Sequence, residues 1–180
     1  NGKFLPYNKA SIPLATHALH YGTGCFEGIR AYYDNKLIVF RLKDHYDRLK
    51  KSAKTLHMKL PNADLCKITI ELLKKNKYKE GVYIRPLVYK SSETVTKFNL
   101  EKLTDGFAII TSPLGHYLDV NNGISVIISS WQRVSVKAIP PYAKPTGLYL
   151  NTCLAKTEAE KNGFEEAILL NSDGLISEGS

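Results

Sequence analysis

The sequence has few of the residues on which crosslinked or membrane-spanning proteins depend. It contains three cysteines, one methionine and one tryptophan. Cys25, Cys66 and Cys153 are widely spaced and odd in number, which argues against a disulfide framework and against a zinc site with paired ligands. No apolar run approaches the roughly 20 residues that a helix needs to cross a bilayer. We therefore expect a soluble, cytoplasmic protein with reduced thiols and no membrane partner.

The chain also lacks a recognisable start and a recognisable export signal. Residues 1–7, Asn-Gly-Lys-Phe-Leu-Pro-Tyr, contain neither an initiator methionine nor a basic stretch followed by an apolar core. The segment is typical of a chain that is entered partway through a first strand and turn. We expect the natural start to lie upstream.

Positive charge is in excess. The 25 Lys and Arg residues outnumber the 17 Asp and Glu residues, which gives a formal net charge of +8. This excess favours anionic partners, whether nucleic acid, an acidic membrane surface, or an anionic cofactor with carboxylate substrates. Many lysines, such as Lys50, Lys54 and Lys74, fall on predicted helix surfaces without interleaved aromatic residues. A solvated helix face therefore explains most of the charge, and no nucleic-acid motif is present.

The spacing of apolar residues predicts a mixed α+β protein. The 43% hydrophobic content supports a packed core, in one large domain or two small ones. Apolar residues recur every three or four positions from Leu42 to Leu56 and again after Asp64, which indicates two helices. Pro86 predicts that its strand lies at a sheet edge or contains a bulge. Strands are predicted near residues 37–42, 82–89, 106–111, 124–129, 167–170 and 175–177.

Residues 113–123 are rich in turn formers and predict a linker between an N-terminal domain (1–112) and a C-terminal domain (124–180). Tyr117 lies within this linker, and small ligands commonly bind at such junctions. A further helix is predicted over residues 150–162. Asn-Ser-Asp-Gly at 171–174 predicts a hairpin turn.

One lysine and one later carboxylate stand out near the end of the chain. Lys144 lies in the loop segment Pro-Tyr-Ala-Lys-Pro-Thr-Gly, and Glu178 lies in what the sequence suggests is a Glu-Gly turn. The pair suits a pyridoxal phosphate enzyme, because the cofactor's aldehyde needs a lysine amine and its pyridine nitrogen needs a charged partner. By pattern alone, a solvated surface lysine and a solvent-facing glutamate are the favoured interpretations.

Several ordered segments resemble the class IV, or fold-type IV, aminotransferases, and most closely the branched-chain amino acid aminotransferases. They are His17–Tyr32, Phe40–Leu49, Tyr83–Leu87, Ser129–Arg133, the lysine loop, the helix at 150–162 and the Glu-Gly pair. The resemblance implies a small N-terminal α/β sandwich domain and the first part of a larger C-terminal pseudo-barrel domain. Because family members continue past the Glu-Gly pair, we expect these residues to be part of a longer enzyme.

The resemblance implies an activity and a cofactor. The activity is pyridoxal phosphate-dependent transfer of an amino group between branched-chain L-amino acids and 2-oxoglutarate. Lys144 would form a Schiff base with the cofactor and, once freed, act as the base. Arg48 would bind the cofactor phosphate through its fixed fork of donors. Tyr149 would hydrogen-bond the phenolic oxygen, and Glu178 would pair with the pyridinium nitrogen.

Ordinary structural roles stay open for the same residues when the resemblance is set aside. Arg48 could form a surface ion pair with Asp44 or Asp47, and Tyr149 could be a buried tyrosine in the first turn of a helix. His45 and Asp44 suggest a dyad at first sight, but structural hydrogen bonding is the expected role. No ligand set of recognisable spacing is present, so we expect no metal.

The resemblance also implies a substrate pocket and a homodimer or higher homo-oligomer. The pocket residues would be Tyr21, Phe26, Arg30, Tyr83, Arg85 and Tyr117. An apolar, aromatic wall would select aliphatic side chains, whereas Tyr83 and Arg85 would help to place the α-carboxylate of the substrate or the γ-carboxylate of glutamate. These two residues are separated by one position, so on a strand they would point to one face.

Other functions stay open. A D-amino acid aminotransferase or an aminodeoxychorismate lyase would share the lysine, the glutamate and the phosphate-binding arginine but differ in the pocket. A basic nucleic-acid-binding module, with the eleven tyrosines as stacking platforms, is the alternative from a different class.

Overall fold

The computed structural model describes residues 2–114, 123–140 and 142–180. The chain divides into two compact units. The first unit comprises Asn1–Leu114 with Ala143–Pro145, and the second comprises Gly115–Tyr142 with Thr146–Ser180. Most of the predicted linker, 113–123, lies outside the described residues, so the domain boundaries expected there stay a prediction.

The first unit is organised around a five-stranded sheet. Its strands are β1 (Gly24–Phe26), β2 (Ile29–Asp34), β3 (Lys36–Val39), β4 (Val82–Lys90) and β5 (Asp105–Pro113). β4 pairs with β1 and β2 along one side and with β5 along the other, always antiparallel. Buried and half-buried residues alternate along β4, so its two faces have different surroundings.

Pro86 lies in the interior of this sheet, and the expectation of an edge strand was wrong. Pro86 is paired with Ile109 of β5, and its carbonyl accepts a hydrogen bond from the Glu27 N–H at 3.1 Å. The N and O atoms of a residue in an antiparallel strand point the same way, so the proline nitrogen faces the turn between β1 and β2. Strand pairing passes from β1 to β2 at this point, which is why a residue without an N–H is tolerated there.

Two helices cover one face of the sheet, as their apolar spacing predicted. They are α2 (Leu42–Thr55) and α3 (Leu65–Asn76), and the Asp64 carboxylate caps α3 by accepting a hydrogen bond from the Lys67 N–H at 2.9 Å. Burial of apolar surface between helices and sheet is the main stabilising contribution here. The buried residues of these two clusters are Cys25, Ile29, Ala31, Tyr46, Leu49, Ala53, Met58, Leu65, Leu73, Val82, Ile84 and Val88.

A short helix, α1 (His17–Tyr21), precedes β1 and ends at Gly22, which has a left-handed φ of 60°. Within the described ranges, no helix combines the length and the apolar character that crossing a membrane requires.

The second unit contains a three-stranded sheet and one long helix. Strands β6 (Val126–Ile128) and β7 (Glu166–Leu170) are parallel, and β8 (Ile176–Gly179) runs antiparallel to β7. The helix α4 (Tyr149–Lys161) follows a short 3-10 turn and confirms the helix predicted from the sequence. Its buried alanines, Ala155 and Ala159, pack against Ala167 and Leu169 of β7.

Glu178 and Gly179 extend along β8, so their predicted turn was wrong. Glu178 is paired with Leu169 across the sheet. The chain instead reverses at Asn171–Gly174, as the hairpin pattern predicted, where Gly174 has a φ of 76° and donates its N–H to the Asn171 carbonyl at 3.1 Å.

Candidate active site

The Lys144 loop is fixed to the first unit through its backbone. The Lys144 carbonyl accepts a hydrogen bond from the Phe26 N–H at 3.2 Å, and the Lys144 N–H donates to the Ser52 hydroxyl at 3.2 Å. The next residue, Pro145, forms an antiparallel bridge with Cys25. Since Ser52 and Cys25 are completely buried, the loop is attached to rigid parts of α2 and β1.

The Lys144 amine lies over the ring of Phe26 together with a second cation. Its Nζ is 5.3 Å from the ring centroid, and the Arg85 guanidinium carbon is 4.2 Å from the same centroid. Both distances are within the range of a cation–π contact. The ring therefore collects two positively charged groups in one place, which suits an anionic ligand.

Four of the predicted substrate residues share the face of the sheet opposite the helices. Arg85 donates from Nε and Nη2 to the Tyr83 hydroxyl at 3.1 and 2.6 Å, so these two residues do point to one face. Arg30 is directly opposite Tyr83 in the pairing of β2 with β4. Phe26 reaches the same face through its contact with Arg85. The structure thus brings Phe26, Arg30, Tyr83 and Arg85 together.

The packing of Tyr83 on this face requires a glycine at position 28, which sequence reasoning missed. A Cβ atom at Gly28 would lie 3.0 Å from the Tyr83 hydroxyl oxygen, closer than ordinary contacts allow. The glycine lets Tyr83 approach the turn between β1 and β2. Its only signal in the sequence is its place in the Glu-Gly-Ile-Arg segment of the resemblance.

Tyr21 makes its contacts away from this group. The Tyr21 hydroxyl donates to the Val95 carbonyl at 2.5 Å, and its ring meets Phe98 edge-on at 5.1 Å. These contacts hold Tyr21 against the segment that follows β4. Tyr117 lies outside the described residues, and its role in the pocket stays a prediction.

Arg48 forms a bidentate ion pair with a buried carboxylate. Its Nε and Nη2 donate to the two oxygens of Glu27 at 2.5 and 2.6 Å. His45 Nδ1 lies 2.8 Å from Glu27 Oε2. The Glu27 side chain has no solvent exposure, whereas 53% of the Arg48 side chain is exposed. Sequence reasoning missed Glu27, which lies next to Phe26 in the chain.

The expected surface ion pair of Arg48 with Asp44 or Asp47 was wrong, because both acids pair with other residues. Asp44 pairs with Arg41 at 2.6 Å, and Asp47 pairs with Lys43 at 3.1 Å. Both pairs are short-range contacts along the exposed side of α2 and the residue before it. These acids are therefore occupied locally, and Arg48 pairs with the buried Glu27.

Helix α2 connects Arg48 to the lysine loop. Arg48 and Ser52 are four residues apart on α2, so they lie on the same helix face, separated along the axis by about one 5.4 Å turn. Ser52 binds the Lys144 N–H. One helix face thus presents the predicted phosphate ligand next to the predicted nucleophile.

Glu178 and Tyr149 line one cavity of the second unit. The cavity has a volume of about 500 Å³, and Arg133 and Ser180 also line it. Glu178 forms an ion pair with Arg133, and 51% of its side chain is exposed, so the interpretation as a solvent-facing glutamate stays open. Arg133 donates its N–H to the Leu170 carbonyl at 2.7 Å and is thereby fixed to the end of β7. Sequence reasoning placed Arg133 in a matching segment without giving it a role.

Cys25 lies beside the lysine loop but is chemically inert. Burial raises the pKa of its thiol to about 12, so the thiol stays protonated at neutral pH. In the described part of the chain, no group of three or more His, Cys, Asp and Glu side chains is arranged to hold a metal ion.

Comparison with known proteins identifies the family. The family model described as "Amino-transferase class IV" matches residues 24–180. A protein of Aquifex aeolicus (strain VF5), named "Probable branched-chain-amino-acid aminotransferase", is 43% identical over 184 residues, which cover 99% of this chain and 59% of the relative.

Solved structures agree with the sequence relatives. The branched-chain aminotransferase of the archaeon Thermoproteus uzoniensis, crystallised with norvaline, superposes with a TM-score of 0.93 at 39% identity and covers 99% of this chain. The T.th. branched-chain amino acid aminotransferase complexed with N-(5'-phosphopyridoxyl)-L-glutamate gives a TM-score of 0.89 at 38% identity over 99% of this chain. The chain spans 60% of each of these two structures.

These matches confirm the resemblance that the ordered segments suggested, and they confirm the fold class. The chain belongs to the class IV aminotransferase family, with the mixed helix-and-sheet architecture of fold-type IV.

Proposed function

We propose that this protein is a branched-chain amino acid aminotransferase. It transfers an amino group between leucine, isoleucine or valine and 2-oxoglutarate, and yields a branched-chain 2-oxo acid and L-glutamate. The observation that carries the proposal is the placement of Lys144. Its backbone is hydrogen-bonded to β1 and α2, and its amine lies beside Arg85 on the ring of Phe26. The names of the relatives support the choice of substrate class.

The residues present fit pyridoxal 5'-phosphate as the cofactor. Its phosphate carries nearly two negative charges, which suits the half-exposed guanidinium of Arg48. Glu178 offers a carboxylate for the pyridinium nitrogen, and Tyr149 offers a phenol for the ring oxygen. A solved relative bound a phosphopyridoxyl adduct of glutamate, which supports both the cofactor and the amino donor. When bound, the cofactor supplies a ring that accepts electrons as the α-proton of the substrate leaves.

Lys144 has two tasks in this proposal. Its Nζ would hold the cofactor covalently by condensing with the aldehyde, with loss of water. When the substrate amine takes its place, the freed Nζ would be the base that accepts the α-proton of the substrate. Proton transfer by a positioned base contributes about 10²–10⁴-fold to the rate.

The shared face of the sheet supplies substrate recognition. Arg85, oriented by its hydrogen bonds to the Tyr83 hydroxyl, binds a substrate carboxylate, and Arg30 adds positive charge on the same face. The ring of Phe26 contributes apolar surface for an aliphatic side chain. Tyr21 and Tyr117 complete the proposed pocket.

A variant at Lys144 tests the function. We expect Lys144→Ala to lower the rate of leucine-dependent L-glutamate formation by at least about 10²-fold, because the base is removed. Lys137→Ala, at an exposed lysine in another loop, is the matched control and should keep its rate. Formation of D-glutamate from D-alanine by the parent protein, without turnover of leucine, would favour a D-amino acid aminotransferase and contradict the proposal.

A further inference from the structure

Glu27 is a buried charge to which the proposed function assigns no task. It lies in the turn between β1 and β2, and its side chain is completely shielded from solvent. The Glu27 N–H donates to the Pro86 carbonyl at 3.1 Å, which fixes the backbone. Both carboxylate oxygens are bonded to Arg48, and Oε2 is also 2.8 Å from His45 Nδ1.

The geometry of this contact fixes the plane of the Arg48 guanidinium. Nε and Nη2 lie on one edge of the guanidinium, and both donate to Glu27, at 2.5 and 2.6 Å. A fork of two parallel hydrogen bonds allows little rotation of the planar group. The opposite edge, with Nη1, is directed away from Glu27.

We propose that Glu27 is a positioning residue: it holds the Arg48 guanidinium in the orientation that binds the cofactor phosphate. This inference rests on the proposed function, in which Arg48 is the phosphate ligand. Glu27 acts through Arg48 and has no contact with the cofactor itself. His45, on the same face of α2 one turn before Arg48, holds the carboxylate in place.

Two features favour positioning over a purely structural ion pair. A buried ion pair contributes little to net stability, because desolvation of the charges offsets their attraction. Arg48, however, has a long side chain of which about half is exposed, and such a side chain samples many rotamers unless a partner restrains it. Restraint by Glu27 before binding lowers the entropy that is lost when the phosphate is bound.

Comparison of two cofactors in a Glu27→Gln variant tests this inference. Pyridoxal lacks the phosphate, so its affinity measures the contacts of the rest of the cofactor without the contact that we assign to Arg48. We expect Glu27→Gln to weaken pyridoxal 5'-phosphate binding by about 10- to 100-fold, the range for loss of a hydrogen bond to a charged group, and to change pyridoxal binding by less than about twofold. Affinity is read from absorbance titrations of the full-length apoenzyme.

Two further variants sharpen the test. Asp47→Asn is the matched control, since it removes a carboxylate from an ion pair on the same helix, and it should change neither affinity. The double variant Glu27→Gln/Arg48→Ala should bind pyridoxal 5'-phosphate no more weakly than Arg48→Ala alone, because Glu27 acts only through Arg48.

If Glu27→Gln weakened the binding of both cofactors equally, Glu27 would only maintain the fold. If it changed neither affinity, Arg48 would need no positioning. Either result would overturn the inference. If Glu27→Gln does not fold, Glu27→Asp keeps the charge but shortens the side chain, and it should show the same phosphate-selective loss. A parent protein that takes up no pyridoxal 5'-phosphate would refute the proposed function itself, a result visible before any Glu27 variant is made.

Discussion

The side chains of the candidate site take their positions from specific neighbours. Arg48 is oriented by the buried Glu27, and Arg85 is oriented by the Tyr83 hydroxyl. Lys144 has its backbone fixed by Ser52 of α2. Two of these contacts join different segments of the chain, and the third joins two residues on one face of β4. Removal of Glu27, Tyr83 or Ser52 side-chain groups should therefore disturb the function of the residue that each one orients more than the stability of the fold.

A Gly28→Ala variant should show this for the substrate face. The new Cβ would lie 3.0 Å from the Tyr83 hydroxyl oxygen and displace it, which weakens the hydrogen bonds that orient Arg85. We expect the KM for the amino acid substrate to rise by about tenfold, the effect of one lost charge-assisted hydrogen bond. Steady-state kinetics with leucine measures it. Gly81→Ala, whose Cβ would have its nearest contact at 3.4 Å, should leave KM unchanged, and an equal rise in both variants would contradict the explanation.

Glu158 gives the second unit a pH dependence. The Ser129 hydroxyl, at 2.5 Å, and the Ser130 N–H lower the pKa of its carboxyl group by hydrogen bonding. Because the pKa in the folded protein lies below that in the unfolded chain, Glu158 stabilises the fold above about pH 4.3, the ordinary value for glutamate. This stabilisation is lost as the pH falls through the pKa of the folded state.

A Ser129→Ala variant should therefore lose stability at neutral pH and approach the parent protein in acid. The pKa of Glu158, followed by NMR titration of its carboxyl carbon, should move up towards its ordinary value. Denaturant unfolding at a series of pH values gives the difference in free energy of unfolding. Ser172→Ala, in the exposed turn after β7, is the control. A Ser129→Ala effect that is the same at every pH would show that the hydrogen bond does not act through Glu158.

At the scale of elements, helix α2 serves both the core and the site. Its apolar face, with Leu49 and Ala53, is buried against β1 and β4, whereas Arg48 and Ser52 carry the contacts of the site. The packing of the apolar face of α2 therefore determines where Arg48 and Ser52 lie relative to the sheet.

Leu49→Ala should destabilise the first unit strongly. Leu49 has no solvent exposure, so its truncation removes buried apolar surface and leaves a cavity. We expect a loss of about 2–5 kcal/mol in the free energy of unfolding, measured with denaturant. Leu19→Ala, at a leucine that is 57% exposed, should change it by less than about 0.5 kcal/mol. Similar losses for both variants would place Leu49 outside the core.

Sequence reasoning found the elements better than it found their contacts. The helices at 42–55 and 65–76 follow from apolar periodicity, and the second also from the capping residue Asp64, which are local signals. The interior position of β4 in the sheet could not be predicted from the sequence, because Pro86 suggested an edge strand. The gap between β1 and β2, which accommodates this proline, is visible only once the strands are paired. The Glu-Gly pair was mistaken for a turn for a similar reason, since its extended form is set by pairing with β7.

The same limit applies to the candidate site. The pattern suggested Lys144 and Glu178, and the family resemblance added the other residues. Glu27 and Arg133 were missed as partners, because their importance depends on what they touch: Arg48 in the first unit and Glu178 in the second. An isolated glutamate or arginine in a sequence carries no record of such pairs.

At the scale of the whole molecule, each of the two units carries residues to which the proposed function gives a role. Lys144 and Arg48 belong to the first unit, and Tyr149 and Glu178 to the second. The net charge of +8 suits the anionic cofactor and substrates that we propose. The matched relatives are longer than this chain, which spans 59% of the Aquifex aeolicus protein.

We propose that Lys144, among the many lysines of this basic chain, is the residue that binds pyridoxal 5'-phosphate. The most direct measurement is to incubate the full-length protein with the cofactor, reduce the complex with borohydride and locate the pyridoxyl group by peptide mass spectrometry. We expect a label confined to Lys144, which an excess of amino donor added before reduction should remove. Label scattered over surface lysines, or no label, would contradict it.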